Sequence, residues 1–416
     1  MAEASPATTM TAWNDALKQY YIDKKPMDVA YHNHPFLTMI PKNTRFRGKN
    51  MPLPIIYARP QGRSATFADA QSNATSSSLG EFLLTRVKNY AVVTVSGEAI
   101  EASKGNEYSF LEALTTETDL GLKTLGDTLS RQLFRQQNGA IGVLNNDASE
   151  MGQTGLDLTN ALDSLNFEVG MKVVFAASTS TGALRASGAT LEVTAVNRGA
   201  AADQITVSAN LSTITSIAQN DVIIPVGDWA TPGTYLCMAG LQDWIPASAP
   251  SSTAFFGQDR SKDTTRLGGQ RVAFDTSIKQ TVINAANVVG REGGEPGVCF
   301  LNYTDWATLE VSLDAQVSGA RQPGPAQNFG FRSLQVYGPH GVIDVVPDKD
   351  VPTGTGYLIQ LDTFALYSIG DAVQILKHDG NSMLRQNGFD GVEVRMGGYY
   401  QLGCRAPGYN AYFATA

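Results

Sequence analysis

Charge is scarce in this chain. Asp, Glu, Lys and Arg make up 17 % of its 416 residues, against about 25 % in an ordinary soluble protein. Hydrophobic residues reach 43 % and glycine occurs 40 times. A surface this poor in charge reads as one partly hidden in an assembly. The net charge is −8, and no Lys/Arg cluster offsets it. That excludes a broad basic face for gripping nucleic-acid phosphates. Cysteine is nearly absent. Cys237, Cys299 and Cys404 are odd in number and far apart, so neither a disulfide framework nor a zinc pattern fits them. They read as reduced, buried small hydrophobes of a cytosolic protein. No stretch approaches the roughly 18 consecutive apolar residues of a membrane-spanning helix. The opening "MAEASPATTM" has neither a basic region nor an apolar core, so a secretory signal is not expected.

Catalytic motifs are also missing. There is no Walker A sequence, no HExxH and no GxSxG. Histidine occurs four times, at His32, His34, His340 and His378. His32-Asn-His34 has the spacing of a metal pair on a strand, but no local carboxylate or thiol completes it. The Gly-rich "GGEPG" (293–297) and "PTGTGYL" (352–358) do not follow a strand and open a helix, so they read as turns. Asp348 and Asp350 sit in a Pro-flanked loop and read as solvated. No catalytic, cofactor-binding or metal-ligating residue is expected, and hence no enzyme.

Several elements are legible. Residues 1–44 are polar with aromatic islands, and Pro26, Pro35 and Pro41 break any long helix, which suits an extended arm with a short helix near 11–21. Residues 45–100 read as a long hairpin: "MPLPIIYARPQGR" and "LLTRVKNYAVVTVSGEAI" are strand-like, and "FADAQSNATSSSLGEF" (67–82) lies between them as an uncommitted tip. Arg45, Arg47, Lys49, Arg59, Arg63, Arg86 and Lys88 make this the most basic region. A helix is predicted over 110–137. Leu111, Leu114, Thr118, Leu122, Leu125, Leu129 and Leu133 follow steps of 3, 4, 4, 3, 4 and 4, which keeps the stripe on one face with little supercoiling. Ser109 and Glu112 have capping-box spacing, and Asn138–Gly139 makes a stop. Its length would be about 42 Å. Gly121 and Gly126 weaken it by roughly 1 kcal/mol each, so tertiary packing must hold it.

Residues 167–227 hold four short strands with Gly, Ser and Asn turns, which suggests a small β-barrel or sandwich of its own. Residues 229–270 look irregular, with Trp229, Trp244, Phe255 and Phe256 to pack. Helices are predicted near 276–289 and 304–317, the second capped by Thr304. Strands follow at "GVIDVVP", "GYLIQLD", "VEVRMGGYYQLG" and "YNAYFATA", implying a mixed sheet.

The order of these parts resembles the major capsid protein of tailed bacteriophages, with the Hong Kong 97-type fold. "KNYAVVTVSGEAIEASKGNEYSFLEAL" is similar to that family's descent from extended loop to spine helix. "GLQDWIP" followed by "FFGQDRSKDTTRLGG", then "CFLNYTDWATLE" and "VEVRMGGYYQLGCRAPGYNAYFAT", resemble family stretches in the same order. The resemblance covers most of the chain outside 160–228. It implies an α+β chain divided into an arm (1–44), an extended loop (45–100) and a peripheral domain with the spine helix (101–159). After these come an inserted all-β domain (160–228), a winding segment (229–275), an axial domain (276–370) and closing strands (371–416).

The implied function is a structural subunit that builds an icosahedral head from hexamers and pentamers around double-stranded DNA. The chain would reside in the virion, after assembly in the host cytoplasm. Its partners would be other copies of itself, a portal protein and packaged DNA bound without sequence specificity; a scaffolding and a decoration protein stay open. Arg45, Arg47, Arg59, Arg63, Arg86 and Lys88 are the expected inter-subunit contacts. Some relatives crosslink through a lysine of the loop. Lys49 and Lys88 lie outside the tip, so no crosslink is expected. An encapsulin-type compartment shares the fold and is the alternative; a β-rich tail or adhesion protein is a more distant one.

Overall fold

The computed structural model describes residues 34–98, 107–177, 182–229, 235–314, 334–377, 381, 383–386 and 388–415. The expected short helix at 11–21, most of the arm, residues 315–317 of the expected second helix, and the side chains of Leu111 and Leu114 lie outside the described residues.

One strand organises the centre. Gly391–Cys404 pairs antiparallel along one side with Val87–Ser96, from Gly391↔Ser96 to Tyr400↔Val87. Its other side takes Phe364–Ser368, Gln374–Ile375 and Leu384–Arg385, and Lys42–Asn43 adds in parallel to Phe364–Ser368. Alternation along Val87–Ser96 decides which face is covered. Ala91, Val93 and Val95 turn toward the long helix, while Lys88, Tyr90 and Val92 stay exposed.

That helix runs Glu107–Phe134 and so passes through Ser109, which is not its cap. Leu125 packs with Val95, Val394 and Met396, and Leu122 lies beside them. Leu129, Leu133 and Phe134 continue the stripe into the main core with Phe36, Phe300 and Tyr357. Each buried leucine stabilises by about 1.5–3 kcal/mol, well above the cost of the two glycines. Gly121 has a specific reason to be small. A Cβ there would run into Met396 and Val93. Below the helix end, Gly240 lies against the carbonyl oxygens of Gln132, Leu133 and Arg135, and its N–H donates to the last of these at 3.1 Å. The chain thus satisfies part of the helix C-terminus with its own backbone.

A second mixed sheet holds six strands in the order Gln270–Val272, Ala411–Ala414, Thr355–Ile359, Val298–Leu301, Gly341–Pro347 and Leu334–Gly338. Helix Ile278–Arg291 covers it with Ile278, Val282, Ala285, Ala286 and Val289. Ser277 caps that helix, its Oγ accepting from the Gln280 N–H at 3.2 Å. The following helix, Tyr303–Asp314, is capped by Asn302 rather than Thr304. The Asn302 side chain accepts from the Thr304 N–H at 3.1 Å. Sheet membership cuts across one expected boundary: Phe364–Ser368, expected within 276–370, belongs to the first sheet.

The all-β unit is larger than expected. Its six strands run in the order Gly142–Val143, Val222–Pro225, Lys172–Ala176, Leu191–Val196, Ile205–Val207 and Gly155–Leu156. The ends of that order meet. Leu144 bridges Leu158, and the Thr159 N–H reaches the Val143 oxygen at 2.9 Å. The sheet closes into a small barrel without free edges. A start at 160 would remove two strands and the buried Ile141, Leu144, Leu156 and Leu158. These strands are two residues long, too short to register as strands by alternation. Arg135 at the helix end pairs with Asp163 at 2.5 Å, and Arg131 donates to the Asn166 oxygen at 3.2 Å, tying helix to barrel.

Candidate assembly surface and the junction beneath it

The hairpin consists of Asn50–Ala58 and Ser78–Thr85, in register from Asn50↔Thr85 to Ile56↔Leu79. Its root is anchored. Leu53, Phe82 and Leu84 are buried, and the Phe82 ring meets Trp244 at 5.1 Å and Phe255 at 6.4 Å. The Leu83 N–H donates to the Phe256 oxygen at 2.8 Å. The irregular segment expected at 229–270 is therefore the bed on which the hairpin lies. Arg260 adds to it, with its guanidinium 4.0 Å from the Phe255 ring centroid.

The tip corrects the expectation in two ways. Residues 78–82 belong to the strand, and Phe82 is core. The remainder has local order. Phe67–Ser72 forms a short helix whose cap, Thr66, accepts from the Asp69 N–H and donates to the Asp69 carboxylate at 2.6 Å. Gln61 and Thr75 close its base with two hydrogen bonds, of 2.7 and 2.9 Å. The tip presents apolar surface as well. Phe67 is 83 % exposed, and the cross-strand pair Ile56 and Leu79 are 65 % and 66 % exposed.

Of the predicted contact residues, Arg45, Arg47, Arg59, Arg63 and Lys88 are exposed, and none of the five forms an ion pair with another described residue. Arg86 differs. It is half-buried, and its guanidinium lies 5.0 Å from the centroid of the Phe46 ring. A groove of about 450 Å³ opens where the arm joins the first sheet, lined among others by Lys42, Arg45, Asp362, Tyr367 and Arg405.

The outer edge of Asn50–Ala58 is chemically unusual. Leu83 points its N–H away from this strand, toward Phe256. Its partner Pro52 is therefore a non-hydrogen-bonded position whose nitrogen faces outward, and Pro54 two residues on faces the same way. Neither has a proton to donate. An added strand would find few donors along this edge.

Below the surface lies a junction that sequence reasoning missed. Asp348 and Asp350, expected in solvent, are buried. His34, at the start of arm helix Pro35–Met39, meets Asp127 of the long helix through Nε2 at 2.8 Å and Asp350 through Nδ1 at 3.3 Å. Ser130 donates to Asp350 at 2.5 Å, and Lys349 reaches Asp127 at 3.2 Å. Asp348 accepts from the Phe36 N–H at 3.4 Å and the Asp350 N–H at 3.0 Å. Burial disfavours a charged His34 ring, yet the hydrogen bonds and charges of Asp127 and Asp350 outweigh it and raise its pKa to about 9. Burial, reinforced by the Asp350 charge, lifts Asp348 well above the usual carboxylate range. Asp127 moves down: burial opposes this, but His34 and Lys349 prevail. The sequence held one clue, the alternation of Asp348 and Asp350 between Val346 and Val351. His34 and Asp127 are too far away in sequence to suggest a partnership.

No group of three or more His, Cys, Asp or Glu among the described residues is arranged to hold a metal ion. Cys237, Cys299 and Cys404 are buried free thiols, each raised in pKa by burial. No described helix is long and apolar enough to cross a membrane.

Structural comparison matches this chain to one in the cyanophage A-1(L) capsid asymmetric unit, with a TM-score of 0.56 and 11 % identity, over 97 % of this chain and 99 % of that one. Lower similarity extends to the SrpI encapsulin complex from Synechococcus elongatus PCC 7942, with a TM-score of 0.46 and 7 % identity over 97 % and 95 %. It extends also to the capsid of a native GTA particle, with a TM-score of 0.40 and 10 % identity over 100 % of both chains. No family model and no curated protein matches the sequence. The fold is that of a phage capsid protein.

Proposed function

We propose that this chain is a shell subunit, a tailed-phage major capsid protein of the Hong Kong 97 type. It would assemble as hexamers and pentamers into an icosahedral head around double-stranded DNA. The observation that carries this reading is the fold likeness to the cyanophage capsid chain over nearly the full length of both. The hairpin supports it. A rooted ribbon with an apolar tip and cations unpaired within the described chain is suited to lie across a neighbouring copy. Its proline-bearing edge favours side-chain docking over an added strand.

In this reading the hairpin is the extended loop, Glu107–Phe134 the spine helix, and the sheet around Val298–Leu301 the axial domain. The barrel of residues 141–225 is a separate projecting unit. Arg45, Arg47, Arg59, Arg63 and Lys88 meet carboxylates of the neighbour, each pair worth about 0–1 kcal/mol. Repetition over many interfaces makes such pairs count. The net charge of −8 suits a lumen that repels packaged DNA. The role is structural and not enzymatic. A portal protein is the expected partner at one vertex; the particle resides in the virion, after assembly in the host cytoplasm.

Electron microscopy of the purified chain under assembling conditions tests this. Closed particles of uniform diameter with sixfold and fivefold clusters are expected. A chain that stays monomeric across concentration, salt and crowding, and is missing from particles purified from its source, refutes the reading. Source particles that hold a protein cargo instead of DNA assign the shell to an encapsulin-type compartment.

A further inference from the structure

The His34 junction brings together three elements that are remote in sequence: the arm helix Pro35–Met39, the long helix Glu107–Phe134 and the turn after Gly341–Pro347. The charged groups facing it are His34 from the arm, Asp127 and Arg131 from the long helix, and Asp348, Lys349 and Asp350 from the turn. Asp228, beside the last barrel strand, faces Arg131 from the next layer. Among the described residues, His34 is the arm's only cation at this junction, and it holds a carboxylate of each of the other two elements. Asp348 in turn accepts the Phe36 N–H, which ties the start of the arm helix to the turn.

We propose that this junction is a proton-operated clasp: the His34 cation, joining Asp127 to Asp350, docks the arm helix on the long helix and the turn, and loss of protons from His34 and Asp348 releases it.

The chemistry has a definite direction. With His34, Lys349 and Arg131 as cations and Asp348 neutral, three cations face Asp127 and Asp350. Ionising Asp348 adds an anion beside Asp350 in a buried site. Deprotonating His34 then removes the cation that joins Asp127 to Asp350. Both steps loosen the junction as pH rises, so the clasp closes toward acid and opens toward alkali. Holding an arm by one ion-pair centre differs from holding it by apolar packing, which pH does not move. Phe36 and Ile40 supply that packing in either state, so release is a local opening and not unfolding.

The clasp works within one chain, so its failure leaves the shell reading standing. Hydrogen exchange of the full chain at residues 35–40, corrected for the intrinsic pH dependence of exchange, tests it. Protection there comes from local bonds such as Ile40 N–H to the Phe36 oxygen at 2.9 Å. In the wild type, protection should fall at least tenfold between pH 7 and pH 10, about one unit of pKa coupling, while the barrel amides stay unchanged. His34→Gln should exchange fast at every pH, without the step near 9. Asp348→Asn keeps the shape and removes one ionisation, so its profile should be flatter below that step than the wild type's. A wild-type profile flat from pH 6 to 10, or a His34→Gln variant with the wild-type step, overturns the proposal. Should His34→Gln fail to fold, Asp348→Asn decides alone, and an unaltered profile refutes the clasp.

Discussion

Two deletions in the hairpin, similar in size and overlapping in sequence, should have opposite consequences. Replacing residues 59–77 by Asn-Gly joins Ala58 to its partner Ser78 through a two-residue turn suited to an antiparallel ribbon. The removed segment contributes only the exposed Phe67 helix and its local bonds. Loss of surface structure of this kind changes subunit stability by about 0.5 kcal/mol or less. Deleting residues 67–82 instead takes away Phe82, which is fully buried against Trp244 and Phe255. Truncating such a ring costs about 3–5 kcal/mol. Four more strand residues and the Leu53↔Phe82 register go with it. Against a total of about 5–15 kcal/mol, that is enough to unfold the region. Circular dichroism with thermal melting reads the first difference, and electron microscopy reads assembly. The 59–77 replacement should melt like the wild type and fail to build stable closed particles. The 67–82 deletion should be insoluble or melt far lower. Wild-type particles from the 59–77 replacement sink the role assigned to the tip. A normal melt from the 67–82 deletion sinks the assignment of Phe82 to the core.

Leu125→Asp places a carboxylate among Val95, Val394 and Met396; at several kcal/mol for an unpaired buried charge, the product should appear in the insoluble fraction, and a soluble, assembling variant would contradict the packing. The barrel expressed as residues 140–228 should melt cooperatively, whereas 167–227, lacking two strands, should give a broad transition; equal melts would show that the short strands are dispensable. Asp243 is half-buried at the hairpin bed and raised to about 7, by desolvation above all, against the opposing Gln137 N–H and Arg260. Its folded pKa lies above the unfolded one, so stability from this group is full below about pH 4 and is lost as pH rises through about 7. Asp243→Asn should flatten that part of a stability–pH curve from chemical denaturation; an unchanged slope means Asp243 does not titrate there.

Local periodicity alone carried much of the architecture. The stripe through Leu122, Leu125, Leu129 and Leu133 predicts one buried helix face, because the 3.6-residue period is a property of the backbone itself. The β-branched run "YAVVTVSG" likewise predicts a strand, found within Val87–Ser96. Composition argues against a membrane-spanning helix and against a broad basic face without any structure. Tertiary structure decided everything that depends on residues distant in the chain. Gly142–Val143 and Gly155–Leu156 are strands only because the barrel's own edges need partners. Phe82 reads as loop by composition and is core because Trp244 and Phe255 come to it from 160 and more residues away. Asp348 and Asp350 look solvated in a Pro-flanked turn, and only the arrival of His34, Asp127 and Ser130 makes their burial tolerable. A buried charge is legible only with its partner, and sequence order does not state which partner the fold will bring.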